Sequence, residues 1–268
     1  MSDGSPAPVR IVRGMGGNGS TFLSRALAAQ PGVLVLNECN PRSANLFEYR
    51  LNPLRQIELA EPDLAARLAA LDYDHSELGS SRLFGRFVDD LTALLGADRT
   101  LVIRDYNLAD FVASPLVWEG LPKSSLDAAL GDRPRREIIL ARDPVDQFLS
   151  LRSHRALRRG LAFRPFLEGL LRMVDAFPDA PVFRYEEIFA AFDREFAGIC
   201  AALDITRSAA PLALAEPAGF ASGNARGRET SEPSLAPQRG EIHERLEQKP
   251  ATRRLLAEVR GRTGYAAG

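Results

Sequence analysis

Between a mostly apolar tetrapeptide, "VRIV" at 9–12, and an amphipathic segment lies the run "GMGGNGST", Gly14 to Thr21, which packs four glycines, an amide and two hydroxyls into eight positions. A strand that turns sharply into a helix presents backbone N–H groups and the positive end of the helix dipole, and together these bind phosphate or sulfate. Gly14 and Gly19 keep the four-residue separation of a nucleoside-triphosphate loop and Thr21 stands at its hydroxyl position, but Ser20 takes the place of its lysine. That lysine reaches the β and γ phosphates, so its replacement argues against triphosphate hydrolysis and leaves anion binding intact. Glycine turns also serve plain strand-to-helix packing, so other segments must decide.

A second run, "IILARDPVDQFLSL", ends an apolar strand in Arg142, followed by Pro144, Asp146 and, eight residues after the arginine, Ser150. A guanidinium fork with a hydroxyl can hold a terminal phosphate that ATP does not possess. This segment resembles the 3'-phosphate-binding segment of sulfotransferases that use 3'-phosphoadenosine-5'-phosphosulfate (PAPS), where an Arg-x-Pro-x-Asp run leaves a strand and a serine follows on the next helix. The first loop resembles the 5'-phosphosulfate loop of the same family, usually Pro-(Lys or Arg)-Ser-Gly-Thr-Thr. Its matching positions here are Gly16, Gly17, Asn18, Gly19, Ser20 and Thr21. The glycine and both hydroxyls are kept, while the proline and the cation are replaced.

In that family the loop cation neutralises the bridging oxygen as the sulfuryl group leaves, which Gly17 cannot do. The resemblance offers a substitute in "TLVIRDYN", similar to the Lys-x-His segment of cytosolic sulfotransferases, with Arg104 in the lysine position and Tyr106 in that of the histidine. An arginine at a strand end can reach the sulfuryl oxygens; the plainer alternative is a contact with Asp105 or a helix cap. Glu38, directly after "VLVL", follows Gly17 by the interval that separates the loop cation from the base glutamate in tyrosylprotein sulfotransferases. A carboxylate beside the crevice can take the acceptor's proton. Asp105 is the rival base, and an ion pair with Arg42 or a role holding backbone N–H groups is the structural alternative for Glu38. "PVFRYEEI" resembles the family's late strand-to-helix junction, and "SGNARGRET" resembles the loop over the 3'-phosphate, making Arg226 and Arg228 donor-site candidates. Arg152, Arg155, Arg158 and Arg159, with His154 among them, read as a solvent face or a basic rim.

These residues need elements to carry them. Short apolar runs at 9–12, 33–36, 100–103, 137–141 and 181–185 alternate with helical periodicity, which predicts βαβ units. The expected fold class is α/β: three layers, a central mostly parallel sheet with a P-loop-like phosphosulfate loop, and helices on both faces. Ligands in such sheets bind at the carboxyl ends of the strands, where Glu38, Arg104, Asp105 and Arg142 all stand. A single domain over 1–268 is expected, with a helical insertion at about 40–98 and a loop-rich C-terminal segment at about 206–268.

Composition narrows the function classes. The net charge of -1 predicts no general affinity for nucleic acid or anionic membranes. The lysines are Lys123 and Lys249 alone, so any anion-binding cation is expected to be arginine. Cys39 and Cys200 suit buried reduced thiols rather than a disulfide framework or a zinc site. The N-terminal stretch reads as no signal sequence and no window as a membrane span, so a cytoplasmic protein is expected. The resemblance implies a PAPS-dependent, metal-free sulfotransferase acting on a hydroxyl or amine of a glycan, small molecule or peptide. The rival readings are a P-loop nucleotide kinase or NTPase and a catalytically silent nucleotide-binding module. Acceptor identity and oligomeric state stay open.

Overall fold

The structure, a computed structural model, describes residues 7–46, 51–112, 120–153, 157, 160–208, 246 and 249–265. The five apolar runs form one parallel sheet: β1 (Val9–Arg13), β2 (Val33–Leu36), β3 (Thr100–Arg104), β4 (Arg135–Ala141) and β5 (Val182–Arg184), in the order β2-β3-β1-β4-β5. Both faces of these strands are apolar, as a parallel sheet covered on two sides requires. Val12, Val35, Val102, Ile138 and Leu140 point to one face and pack with α1 (Ser20–Ala28) and, near the C-terminal side, α10 (Phe192–Ala202). Ile11, Leu36 and Ile103 point to the other.

That second face is covered by most of the remaining helices. The stretch between β2 and β3 carries α2 (Pro53–Ala60), α3 (Pro62–Ala69), a 3-10 turn at His75–Gly79 and α4 (Ser81–Leu95). Phe84, Phe87, Val88 and Leu91 of α4 lie buried at helical spacing with Leu54, Ile57, Leu64 and Leu68 from α2 and α3. Apolar residues at this spacing give each of these helices one buried stripe. Between β3 and β4 come α5 (Asn107–Phe111) and α6 (Ser125–Leu130), and after β4 come α7 (Pro144–Arg152) and α8 (Phe163–Ala176). α9 (Tyr185–Ala190) starts directly where β5 ends, which shortens the fifth strand relative to the apolar run 181–185. The last helix, α11 (Pro250–Arg262), packs on α8 and buries Leu256 and Val259.

Strand order fixes where a ligand crevice opens. From β1 the chain moves out through β2 and back to β3, then crosses β1 to reach β4 and β5. The direction of winding reverses beside β1, and the loop after β1 sits at that switch point. Cys39 and Cys200 are buried free thiols. Among the described residues no helix is long and apolar enough to cross a membrane.

Candidate functional site

The loop after β1 is held by side chains rather than by its own backbone. Asn18, fully buried, donates from Nδ2 to the carbonyl of Leu140 at 2.8 Å and accepts from the Ser20 N–H at 3.2 Å, tying the loop to β4 and to the first turn of α1. Asn107 accepts the Gly14 N–H at 2.9 Å, and Gln147 on α7 donates to the carbonyls of Met15 (2.9 Å) and Gly16 (3.1 Å). Gly19 precedes α1 in the left-handed region (φ 83°), with the Tyr185 ring lying where a β-carbon would sit. Carbonyls are thus engaged on the protein side, and at the start of α1 the Ser20 N–H goes to Asn18 and the Phe22 N–H to the Gly19 carbonyl at 3.0 Å, so that of Thr21 is the first-turn amide with no acceptor among the described residues.

Arg142 follows β4 and turns back to this loop. Its Nη1 donates to the Gly17 carbonyl at 3.0 Å and its guanidinium lies over the Tyr185 ring at 4.6 Å. Its Nε is buried and meets no hydrogen-bond partner among the described residues. The following Asp143 caps α7, accepting from the N–H groups of Val145 and Asp146, with Pro144 at the first helical position. The Arg-Asp-Pro run is therefore a strand-to-helix junction that places Arg142 at the mouth and Ser150 about two turns along α7.

On the other side of β1, Arg104 and Glu38 meet. Arg104 pairs with Val12 in the register of β1 and β3, so its side chain shares the α1 face with Val12 and Val102. Nη2 of Arg104 donates to Glu38 Oε1 at 2.8 Å, with both side chains almost wholly buried. Glu38 holds a left-handed backbone (φ 52°), uncommon for a non-glycine residue, and Ser43 Oγ donates to its carbonyl at 2.7 Å. Strain of this kind is kept where a side chain must be aimed. Tyr106 beside the pair is buried; burial first, and the Glu38 charge second, push its phenol well above the usual range, so it stays protonated.

Asp105 goes elsewhere. One residue past Arg104, it projects to the opposite face of the sheet, where it accepts from Arg13 Nη1 (2.7 Å), Asn107 Nδ2 (2.7 Å) and Asn40 Nδ2 (2.9 Å). Arg13 also bonds Asp127 (2.5 Å) and Glu137 (2.8 Å). Burial opposes its charge, yet Asp105, Asp127 and Glu137 hold it above the ordinary guanidinium range. Burial also pushes the Asp105 carboxyl up, against the pull of Arg13 and Asn40. Asn40 reaches on to Asp110, whose Oδ1 accepts from Ser125 Oγ at 2.8 Å. This is a structural network under the site, with Asp105 closed in by donors. A cavity of about 310 Å³ bounded by Asp143, Asp146, Arg184, Glu186, Glu187 and Tyr265 carries four carboxylates against one guanidinium, a charge that disfavours an anion.

No protein-family model matches the chain, and no curated protein matches it in sequence. Among solved structures, the chain is similar to the sulfotransferase domain from the Synechococcus PCC 7002 olefin synthase, with a TM-score of 0.61 and 14% identity over 99% of this chain and 98% of that one. It is also similar to the sulfotransferase domain from the curacin biosynthetic pathway, with a TM-score of 0.52 and 14% identity over 97% of this chain and 98% of that one. The chain has the sulfotransferase fold.

Within that fold, the structure brings Gly16, Gly17, Asn18, Gly19, Ser20 and Thr21 together with Arg142 on one side of β1 and Arg104 with Glu38 on the other. It separates Asp105 from them and pairs Glu38 with Arg104 rather than with Arg42. Ser150 lies on α7, partly exposed; Arg226, Arg228 and His154 lie outside the described residues. Sequence reasoning missed Arg13, Asn37, Gln56, Asn107, Gln147 and Tyr185. For Arg13 the signal was available, since a charged residue ending a central buried strand demands a partner; the others act through tertiary contacts that no local pattern announces.

Proposed function

We propose that the protein is a sulfotransferase that moves a sulfuryl group from PAPS to a hydroxyl or amine. The observation that carries this reading is the buried Arg104–Glu38 pair at 2.8 Å on the same sheet face as α1, whose first turn opens at the glycine loop. A cation and a base side by side, next to an anion-binding helix start, are the parts that in-line sulfuryl transfer needs and that a mere packing turn does not.

In this reading the Thr21 N–H at the start of α1 and the hydroxyls of Ser20 and Thr21 hold the 5'-phosphosulfate, and Arg142 with Ser150 reads the 3'-phosphate. Glu38 accepts the proton of the acceptor O–H or N–H as the acceptor atom bonds to sulfur. The bond from sulfur to the phosphate oxygen breaks, and adenosine 3',5'-bisphosphate leaves carrying that electron pair. Arg104 lies on the side of β1 away from Arg142 and offsets charge growing on the sulfuryl oxygens, the task that the loop position Gly17 has no side chain to perform. The buried setting makes such a guanidinium worth more than it is in water.

The test is calorimetric titration with adenosine 3',5'-bisphosphate, adenosine 5'-monophosphate and ATP with Mg²⁺. The expected order is bisphosphate far ahead of both. Arg142→Ala is expected to weaken the bisphosphate by about tenfold or more while moving the monophosphate little. Preference for ATP with Mg²⁺ in the unaltered protein overturns the reading in favour of a kinase, and equal losses for both adenosine nucleotides in Arg142→Ala remove the 3'-phosphate from its role.

A further inference from the structure

Asn37 directly follows β2 and has no exposed surface, yet neither Nδ2 nor Oδ1 of its carboxamide meets a hydrogen-bond partner among the described residues. Buried amides are rarely left unpaired, and each exception needs a cause. Its backbone is fully engaged. The Asn37 N–H donates to Gln56 Oε1 at 2.8 Å and its carbonyl accepts from Gln56 Nε2 at 2.7 Å, so Gln56 stands in for a neighbouring strand at this free sheet edge. With the peptide plane fixed, the side chain direction follows from strand alternation.

β2 and β3 pair with Leu36 beside Ile103, and the Cys39 N–H donates to the Arg104 carbonyl at 3.0 Å, which keeps Asn37 next to Arg104. Val35 and Val102, two residues earlier on each strand, both pack on the α1 face. Asn37 and Arg104 therefore project to that same face, and Arg104 Nη1 is a second buried donor without a partner among the described residues. β3 and β2 lie across β1 from β4, which carries Arg142. The unpaired amide thus sits across β1 from Arg142, adjacent in sequence to Glu38.

We propose that Asn37 contacts the acceptor and holds its reacting oxygen or nitrogen at Glu38. This rests on the sulfuryl-transfer reading above. A carboxamide gives and takes hydrogen bonds without carrying charge, which matches a neutral hydroxyl or amine, a group that also does both. An acceptor oxygen that is already anionic is repelled by Glu38, so the acceptor enters protonated. For a hydroxyl, Nδ2 of Asn37 donates to the lone pair that is not attacking sulfur while the proton passes to Glu38; an amine, whose single lone pair attacks sulfur, gives one N–H to Oδ1 of Asn37 and another to Glu38. The unpaired amide is kept because only the substrate completes it.

The experiment compares unaltered protein with Asn37→Leu, close in volume, and with Asn37→Ala as a smaller second variant. Three quantities are read: thermal midpoint, affinity for adenosine 3',5'-bisphosphate, and consumption of labelled PAPS with water and ethanol as probe acceptors. Asn37→Leu is expected to melt no lower than the unaltered protein, because it removes polar atoms that had no partner. Bisphosphate affinity is expected to change less than about twofold while donor consumption falls at least about tenfold, as loss of an oriented donor implies. A lower midpoint in both variants shows that the amide serves the fold and overturns the inference, as does unchanged donor consumption in either. A site that holds neutral hydroxyls admits water, so unaltered protein that binds the bisphosphate yet leaves PAPS intact overturns this inference while donor binding stands. Failure of the unaltered protein to bind the bisphosphate overturns the sulfuryl-transfer reading itself.

Discussion

Putting the family's loop cation back at position 17 is expected to damage the protein rather than improve it. Gly17 has φ 79°, and a β-carbon there would lie 2.8 Å from the Gln147 carbonyl oxygen and 3.2–3.3 Å from Leu151 atoms on α7. The left-handed backbone alone costs a side chain about 1–2 kcal/mol. The clash adds to it, because the oxygen belongs to helix backbone and Gln147 is also pinned to the loop through Met15 and Gly16. A total near 2–4 kcal/mol follows for Gly17→Ala and Gly17→Lys alike. In a chain of this size that lowers the midpoint by roughly 5–15 °C. Urea and thermal unfolding read the stability, and donor consumption reads the chemistry. A Gly17→Lys protein as stable as the unaltered one and more active would refute the reasoning, since position 17 would then accept the cation and Arg104 would lose its claim as substitute.

Arg104 and Glu38 form a buried pair at 2.8 Å. Glu38→Gln and Arg104→Met, each leaving one buried charge behind, are expected to lose about 3–5 kcal/mol, while the double variant regains at least half of the summed loss. Strictly additive losses in urea unfolding would show that the pair is not coupled. Asp110 supplies a pH dependence: burial first, then the Asp105 charge, push its carboxyl up to about 7. Its unfolded value is near 3.9, so the folded protein binds the extra proton, and stability falls as pH rises from about 4 to about 7 by up to about 4 kcal/mol. Asp110→Asn is expected to flatten that decline; an unfolding profile with the same slope in the variant would remove Asp110 as its cause.

The sheet and the ends of its strands were legible in the residue pattern alone. Runs such as "VLVL" and the "LVI" of β3 are apolar at every position, which only a strand buried on both faces satisfies, and four-glycine and Arg-Asp-Pro junctions are local signals whose turns need no tertiary partner to be recognised. The placement of Glu38, Arg104 and Arg142 at strand ends was legible for the same reason. Which of these groups meet depends on the folded chain. Arg104 and Asp105 are neighbours in sequence and part to opposite faces of the sheet, because strand side chains alternate. Arg104 then finds Glu38, 66 positions away, and Asp105 finds Arg13, 92 positions away. Likewise the left-handed Gly17 pressed on α7, and the unpaired Asn37 fixed by Gln56, depend on how helices settle on the sheet. Strand periodicity is a property of a few consecutive residues, whereas pairing across strands depends on register and crossover, which the whole chain sets at once.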